Sequence, residues 1–137
     1  FSALPGTSRH HWGTDLDIWD SSTVDEDYRL LLAPSEYGPS GPFCDMTCWL
    51  DELMAADDAE GFYKPYALDR GGIAPEAWHI SYRPAALKYQ DAVSAESLIP
   101  LWRGEADACG NAHEPLAMLD VIEPQVDCLM ERYVLDS

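Results

Sequence analysis

The sequence predicts an α+β fold, and three observations support that. Single-residue alternation of apolar and polar side chains marks "WGTDLDIW" and "APEAWHISYRP", the period of a half-buried strand. Apolar residues recur every three or four positions between Pro42 and Asp57 and through the last third, the period of an amphipathic helix. Strand-like segments therefore precede a helical last third rather than alternating regularly with helices, which is the α+β order. The 137 residues suit one domain, residues 1–137, around one hydrophobic core. An apolar content of 47% is globular rather than disordered.

Each element follows from local pattern. Residues 1–11 carry Pro, Gly, Ser and Arg and read as a loop. From Trp12 to Trp19, Trp12, Thr14, Leu16 and Ile18 face one way, and Gly13, Asp15, Asp17 and Trp19 the other. That predicts a strand with an apolar back and with Asp15 and Asp17 together on its polar front. "DSSTVDED" is a polar connection. "YRLLLAP" is a short apolar run stopped by Pro34, open between a strand and a single helical turn. "YGPSGP" is turn chemistry. Phe43, Met46, Leu50, Leu53 and Met54 predict a helix from about Pro42, a proline of the N1 type, to Asp57.

"GFYKPYAL" and "APEAWHISYRP", separated by "DRGG", predict a hairpin closed by a glycine turn. Regular alternation in the second run puts Glu76, Trp78 and Ile80 on one face, and Ala77, His79 and Ser81 on the other. "PAALKYQDAV" and "SAESLIPLWRGE" predict short helices, the second with a loose cap signal at Ser94. In "EPLAMLDVIEPQVDCLMERYVL", a stripe of Leu116, Leu119, Ile122, Val126, Leu129, Met130 and Tyr133 predicts a helix that Pro124 kinks or divides. No internal repeat or low-complexity segment is present.

The net charge of -17 and pI of about 4.2 repel phosphate backbones, which argues against a nucleic-acid partner. No apolar run approaches the roughly 18 residues of a membrane span, and no signal-peptide pattern is visible. The chain begins at Phe1 rather than Met, so the expectation is a processed product or part of a longer protein. Cys44 and Cys48 form C-x3-C and Cys109 and Cys128 form C-x18-C, a poor match to structural zinc spacing. One or two disulfides and plain buried thiols both remain open.

The chemistry concentrates in two places. "SRHHWGTDLD" leads a loop histidine, His10, into a strand aspartate, Asp17, with Gly13 letting the backbone turn between them. Zinc takes neutral imidazole nitrogen and carboxylate oxygen, and the two residues offer both. "PEAWHISY" adds Glu76 and His79 as E-x-x-H: a third ligand, and a carboxylate placed to serve as a base without holding the metal. Either half alone is a weak signal, since exposed histidines and solvated carboxylates are common.

Together the halves match a family. "SRHHWGTDLD" fits S-x-H-x-x-G-x-x-x-D and "PEAWH" fits E-x-W-H. The sequence resembles the bacterial zinc D-Ala-D-Ala carboxypeptidases, whose relatives include vancomycin-resistance D,D-dipeptidases, phage L-alanyl-D-glutamate endopeptidases and the hedgehog domain. "FSALPGTSRHHWGTDLDIWD", "RGGIAPEAWHISYRP", the spacing "GPF…WL…GFYKPY" and the closing "ERYVL" extend the likeness over nearly the whole chain. The resemblance implies a hedgehog/D,D-peptidase-like antiparallel sheet that carries the site and packs against helices. It implies Zn2+ held by His10, Asp17 and His79, Glu76 as the catalytic base, and Ser8 as a substrate contact. His11 is then a neighbour rather than a ligand, and Trp78 packs beside the site, with core packing as its main role. Asp15 stands where many relatives carry a small residue, and either orients a ligand histidine or faces solvent.

The implied activity is removal of D-alanine from peptidoglycan stem peptides ending in D-Ala-D-Ala, in the periplasm or cell envelope. The alternatives are a non-catalytic zinc-binding interaction domain of the hedgehog type and an L-alanyl-D-glutamate endopeptidase. The family places an oxyanion-stabilising arginine in an "S-G-[YF]-R-S" segment upstream of the first motif. Only seven residues precede Ser8, so the expectation is a chain N-terminally incomplete relative to the family, with Arg70 and Arg83 flanking the E-x-x-H hairpin.

Overall fold

A computed structural model describes residues 3–135. Three short strands form one antiparallel sheet: β1 (Asp15–Asp17), β2 (Phe62–Tyr63) and β3 (His79–Tyr82), in the order β1-β3-β2. The helices are α1 (Pro34–Tyr37), α2 (Cys44–Ala55), α3 (Arg83–Ala92), α4 (Ala95–Trp102), α5 (Leu119–Ile122) and α6 (Val126–Tyr133). The fold is α+β, as the patterning predicts. No helix among the described residues is long and apolar enough to cross a membrane.

β1 is shorter than its alternation suggests. Arg9–Trp12 winds into a 3-10 turn, and Gly13 closes it at φ 71°. Nothing crowds the space a Cβ would take at Gly13, so the left-handed backbone alone calls for glycine there. Backbone bonds from Tyr82 to the Thr14 carbonyl (2.9 Å) and from Ile18 to the Trp78 carbonyl (3.0 Å) continue the pairing past both ends of β1. The register pairs Asp15 with Ser81, Leu16 with Ile80 and Asp17 with His79. Alternation then places Asp15, Asp17, His79 and Ser81 on one polar face. The opposite face is only partly covered, since Leu16 is 52% exposed while Ile80 is buried.

β2 pairs antiparallel with β3, Phe62 to Tyr82 and Tyr63 to Ser81, but residues 64–78 connect them in place of a tight glycine turn. "DRGG" docks on α6 instead: a side chain on Gly72 would overlap the Arg132 carbonyl. The Tyr66 hydroxyl also reaches that helix, donating to the Tyr133 carbonyl at 3.3 Å. Regular alternation fails just before β3, because Ala77 and Trp78 form a turn. Glu76 therefore leaves its predicted face and comes round to the side of His79.

"YRLLLAP" is neither strand nor helix, and Pro34 opens α1 rather than ending an element. Glu36, buried on α1, organises this loop. Its carboxylate accepts from the Leu31 and Ala33 backbone N–H groups (3.0 and 2.9 Å) and from the Tyr28 hydroxyl (2.7 Å). Glu36→Ala leaves those donors unpaired and is expected to cost about 1–3 kcal/mol, read as a lower urea midpoint at unchanged slope.

The core divides in two. Trp12, Ala86, Leu98, Trp102, Val126, Met130 and Val134 gather α3, α4 and α6 around the turn before β1. Tyr37, Phe43 and Trp78 form a second cluster, and the Tyr37 hydroxyl donates to the Ile18 carbonyl at 2.8 Å beyond the end of β1. Of the predicted C-terminal stripe, Val126 and Met130 are buried, while Tyr133 is largely exposed. Pro124 divides that stripe as expected, in a 3-10 turn between α5 and α6. Ser94 caps α4 by accepting from the Ser97 backbone N–H. The four cysteines are free thiols; Cys44 is half-buried and the other three are exposed, so neither disulfides nor buried thiols describe them.

Candidate metal centre

The 3-10 turn presents His10, the end of β1 presents Asp17 and the start of β3 presents His79. One ligand atom from each lies within 4.8 Å of the other two. His10 Nε2 is 3.6 Å from Asp17 Oδ2, and His79 Nδ1 is 3.7 Å from Asp17 Oδ1. These separations are too long for hydrogen bonds. Donor atoms about 2.0–2.2 Å from a shared tetrahedral ion stand roughly 3.3–3.6 Å apart, close to the observed spacing. Two imidazole nitrogens and one carboxylate oxygen are also a suitable donor set for a zinc site with an open fourth position, so these residues fit the ion. The His10 and Asp17 side chains are 43% and 32% exposed and His79 only 4%, so the group is anchored on one side and open to water on the other.

Glu76 stands beside the group without joining it. Its Oε2 lies 3.1 Å from His79 Nδ1, and its side chain is 27% exposed. It also lines a cleft of about 330 Å3 whose walls include Tyr37, Lys64, Tyr66 and Ala77. Ser8 precedes the turn that carries His10; its carbonyl accepts from the His11 N–H at 3.1 Å, and its hydroxyl makes no capping bond. His11 is exposed. Trp78 packs in the second core cluster, and the Tyr66 ring meets His79 edge-on at 4.9 Å. Arg83 stacks on Tyr63, its guanidinium carbon 3.8 Å from the ring centre.

Behind His79 lies a buried polar network. Asp15 Oδ2 accepts from Arg9 Nε and from His79 Nε2, both at 2.8 Å. Asp15 Oδ1 accepts from the Thr14 hydroxyl (2.8 Å) and the Ser81 hydroxyl (2.7 Å). Arg9 Nη2 donates to the Tyr63 hydroxyl (2.8 Å) and to Ser81 Oγ (3.1 Å), and Nη1 to the Val134 carbonyl (3.4 Å). Asp15 therefore faces a histidine and not solvent. Sequence patterning misses Arg9 altogether: it sits in a polar loop segment, and its partners lie between 6 and 125 positions away. No local periodicity carries that information.

Burial pushes the Asp15 carboxyl up, but bonds from His79, Ser81, Arg9 and Thr14 outweigh it and hold the group well below the usual carboxylate range. Burial pushes His79 down, and its bonds to Asp15 and Glu76 outweigh that, raising it from 6.5 to about 9. A metal must then displace a proton from His79. In chelator-treated protein, a folded value above the unfolded one contributes stability that is complete below pH 6.5 and is lost as pH rises through about 9. Urea unfolding between pH 6 and 10 is expected to show that decline, and His79→Gln to flatten it.

Comparison with known proteins identifies the family. The family model described as D-alanyl-D-alanine carboxypeptidase (VanY) matches residues 1–85, a span that contains all three strands, His10, Asp17, His79 and Glu76. A Haemophilus influenzae protein described only as uncharacterized is 35% identical over 104 residues, covering 74% of this chain and 77% of its own length. No solved structure matches significantly. With both motif halves inside the matched span and more than two thirds of the chain shared with that relative, the chain belongs to the VanY family of D-alanyl-D-alanine carboxypeptidases.

Proposed function

We propose that the chain is a zinc-dependent D,D-carboxypeptidase that removes the terminal D-alanine from peptidoglycan stem peptides. The observation that carries this reading is the convergence of His10, Asp17 and His79 with Glu76 alongside, inside the span that matches the family. His10 Nε2, Asp17 and His79 Nδ1 would hold the ion. When bound, zinc supplies Lewis acidity: it polarises the scissile carbonyl and lowers the pKa of water toward about 7.

The chain's own residues do the rest. Glu76 gives up its bond to Nδ1 when that nitrogen is a ligand, and its partly exposed carboxylate then accepts a proton from the attacking water. The same oxygen returns the proton to the departing D-alanine amine as the peptide bond breaks. The cleft beside Glu76 receives the peptide. Ser8 lies outside the lining of that cleft, just before the His10 turn, and its contact with substrate is what the family resemblance implies. Such a substrate places the protein in the periplasm or cell envelope, acting as one hedgehog/D,D-peptidase-like domain. A purely binding module has no use for a carboxylate poised beside the metal group, so Glu76 favours an enzyme.

The purified chain is expected to carry about one zinc and to release D-alanine from an acylated D-Ala-D-Ala peptide. His79→Ala is expected to lose the metal. Equal zinc in parent and variant would sink the ligand assignment. Cleavage of an L-alanyl-D-glutamate peptide with no D-alanine release would replace the carboxypeptidase with the endopeptidase.

A further inference from the structure

We propose that Asp15 is a positioning residue: it holds the proton of His79 on Nε2 and so leaves Nδ1 as the nitrogen that meets the metal. The inference rests on the zinc reading above, which already has Nδ1 as the ligand atom, and goes beyond it by assigning the residue that decides this.

The argument is one of saturation. An ionised carboxylate offers about four acceptor sites and no donor. Asp15 fills them with Arg9 Nε and His79 Nε2 on one oxygen and with the Thr14 and Ser81 hydroxyls on the other. A nitrogen 2.8 Å from such an oxygen must carry the hydrogen, so Nε2 donates. In neutral imidazole the other nitrogen then has its lone pair free. That nitrogen, Nδ1, holds a bond to Glu76 Oε2 at 3.1 Å in the metal-free chain, and it faces Asp17 Oδ1 at 3.7 Å on the side where His10 also converges, so its hydrogen is the one an ion displaces.

The strand register makes the arrangement rigid. Asp17 lies opposite His79 and Asp15 opposite Ser81, so β1 sets one carboxylate on each side of the His79 ring. Arg9 fixes Asp15 from behind and is itself tied to Tyr63 of β2 and to the carbonyl of Val134, just after α6. The last bond comes from beyond residues 1–85, so the C-terminal part of this chain helps to hold the orienting carboxylate.

Nitrogen-15 histidine spectra of the full zinc-loaded chain test the assignment. The expected result is a His79 ring with its hydrogen on Nε2 and a metal-shifted Nδ1; the reverse pattern overturns the inference. Chelator competition adds a second readout: Asp15→Ala is expected to weaken zinc binding about 10- to 100-fold. Asp15→Asn is expected to recover much of that loss, because its carbonyl can still accept from Nε2 while the Thr14 and Ser81 hydroxyls rotate to accept from its NH2. Alanine and asparagine variants that both bind zinc like the parent overturn the inference and leave the zinc reading standing. A parent chain that takes up no zinc overturns both.

Discussion

Glu76→Gln is expected to lower D-alanine release by about two to four orders of magnitude while leaving zinc content unchanged. The substitution preserves shape and removes the ability to accept a proton at the carboxylate. Its position predicts this separation of effects. The Glu76 side chain touches His79 Nδ1 at 3.1 Å but lies outside the His10, Asp17 and His79 group, and it opens onto the cleft. Turnover assays beside metal analysis check it. A variant that keeps both zinc and most of its rate would assign the proton transfer to another group, and one that loses zinc would make Glu76 a ligand.

Arg9→Met is expected to destabilise the fold by about 3–5 kcal/mol, the scale for breaking a buried ion pair from one side. The Arg9 and Asp15 side chains are fully buried, so solvent does little to screen the loss. Methionine approximates the stem volume but leaves Asp15 short of its only permanently charged donor. The Val134 carbonyl loses its bond from Nη1 as well. Arg9→Lys restores the charge without the planar fork that reaches Asp15, Ser81 and Tyr63 together, and is expected to fall between the two. Equilibrium urea unfolding of the parent and both variants measures the effect. A loss below about 1 kcal/mol for Arg9→Met would show that the network adds little net stability.

Elements governed by nearby residues were legible in the sequence. α2 begins two residues after the predicted proline and ends two before Asp57, because its apolar spacing is a local property. α3, α4 with its Ser94 cap, and the division at Pro124 follow for the same reason. β1 was legible as a strand but not in length: the alternation of Trp12–Trp19 does not reveal that Arg9–Trp12 coils into a 3-10 turn. The stretch 28–33 reads as apolar and yet forms no element, because Glu36 takes up its backbone donors.

By itself the sequence determined that helices and strands segregate, that the surface is strongly acidic, and that two short motifs carry imidazoles and carboxylates at family spacing. These depend on residues within a few positions of one another. Only the tertiary structure decided that the two motifs meet, through the Asp17–His79 register of β1 and β3. It also moved Glu76 across to the His79 side by a turn at Ala77 and Trp78, and docked "DRGG" on α6 instead of closing a hairpin. Above all it buried Arg9 against Asp15. A charged group leaves water only where partners from distant parts of the chain arrive together to replace its hydration, and no local pattern records that arrival.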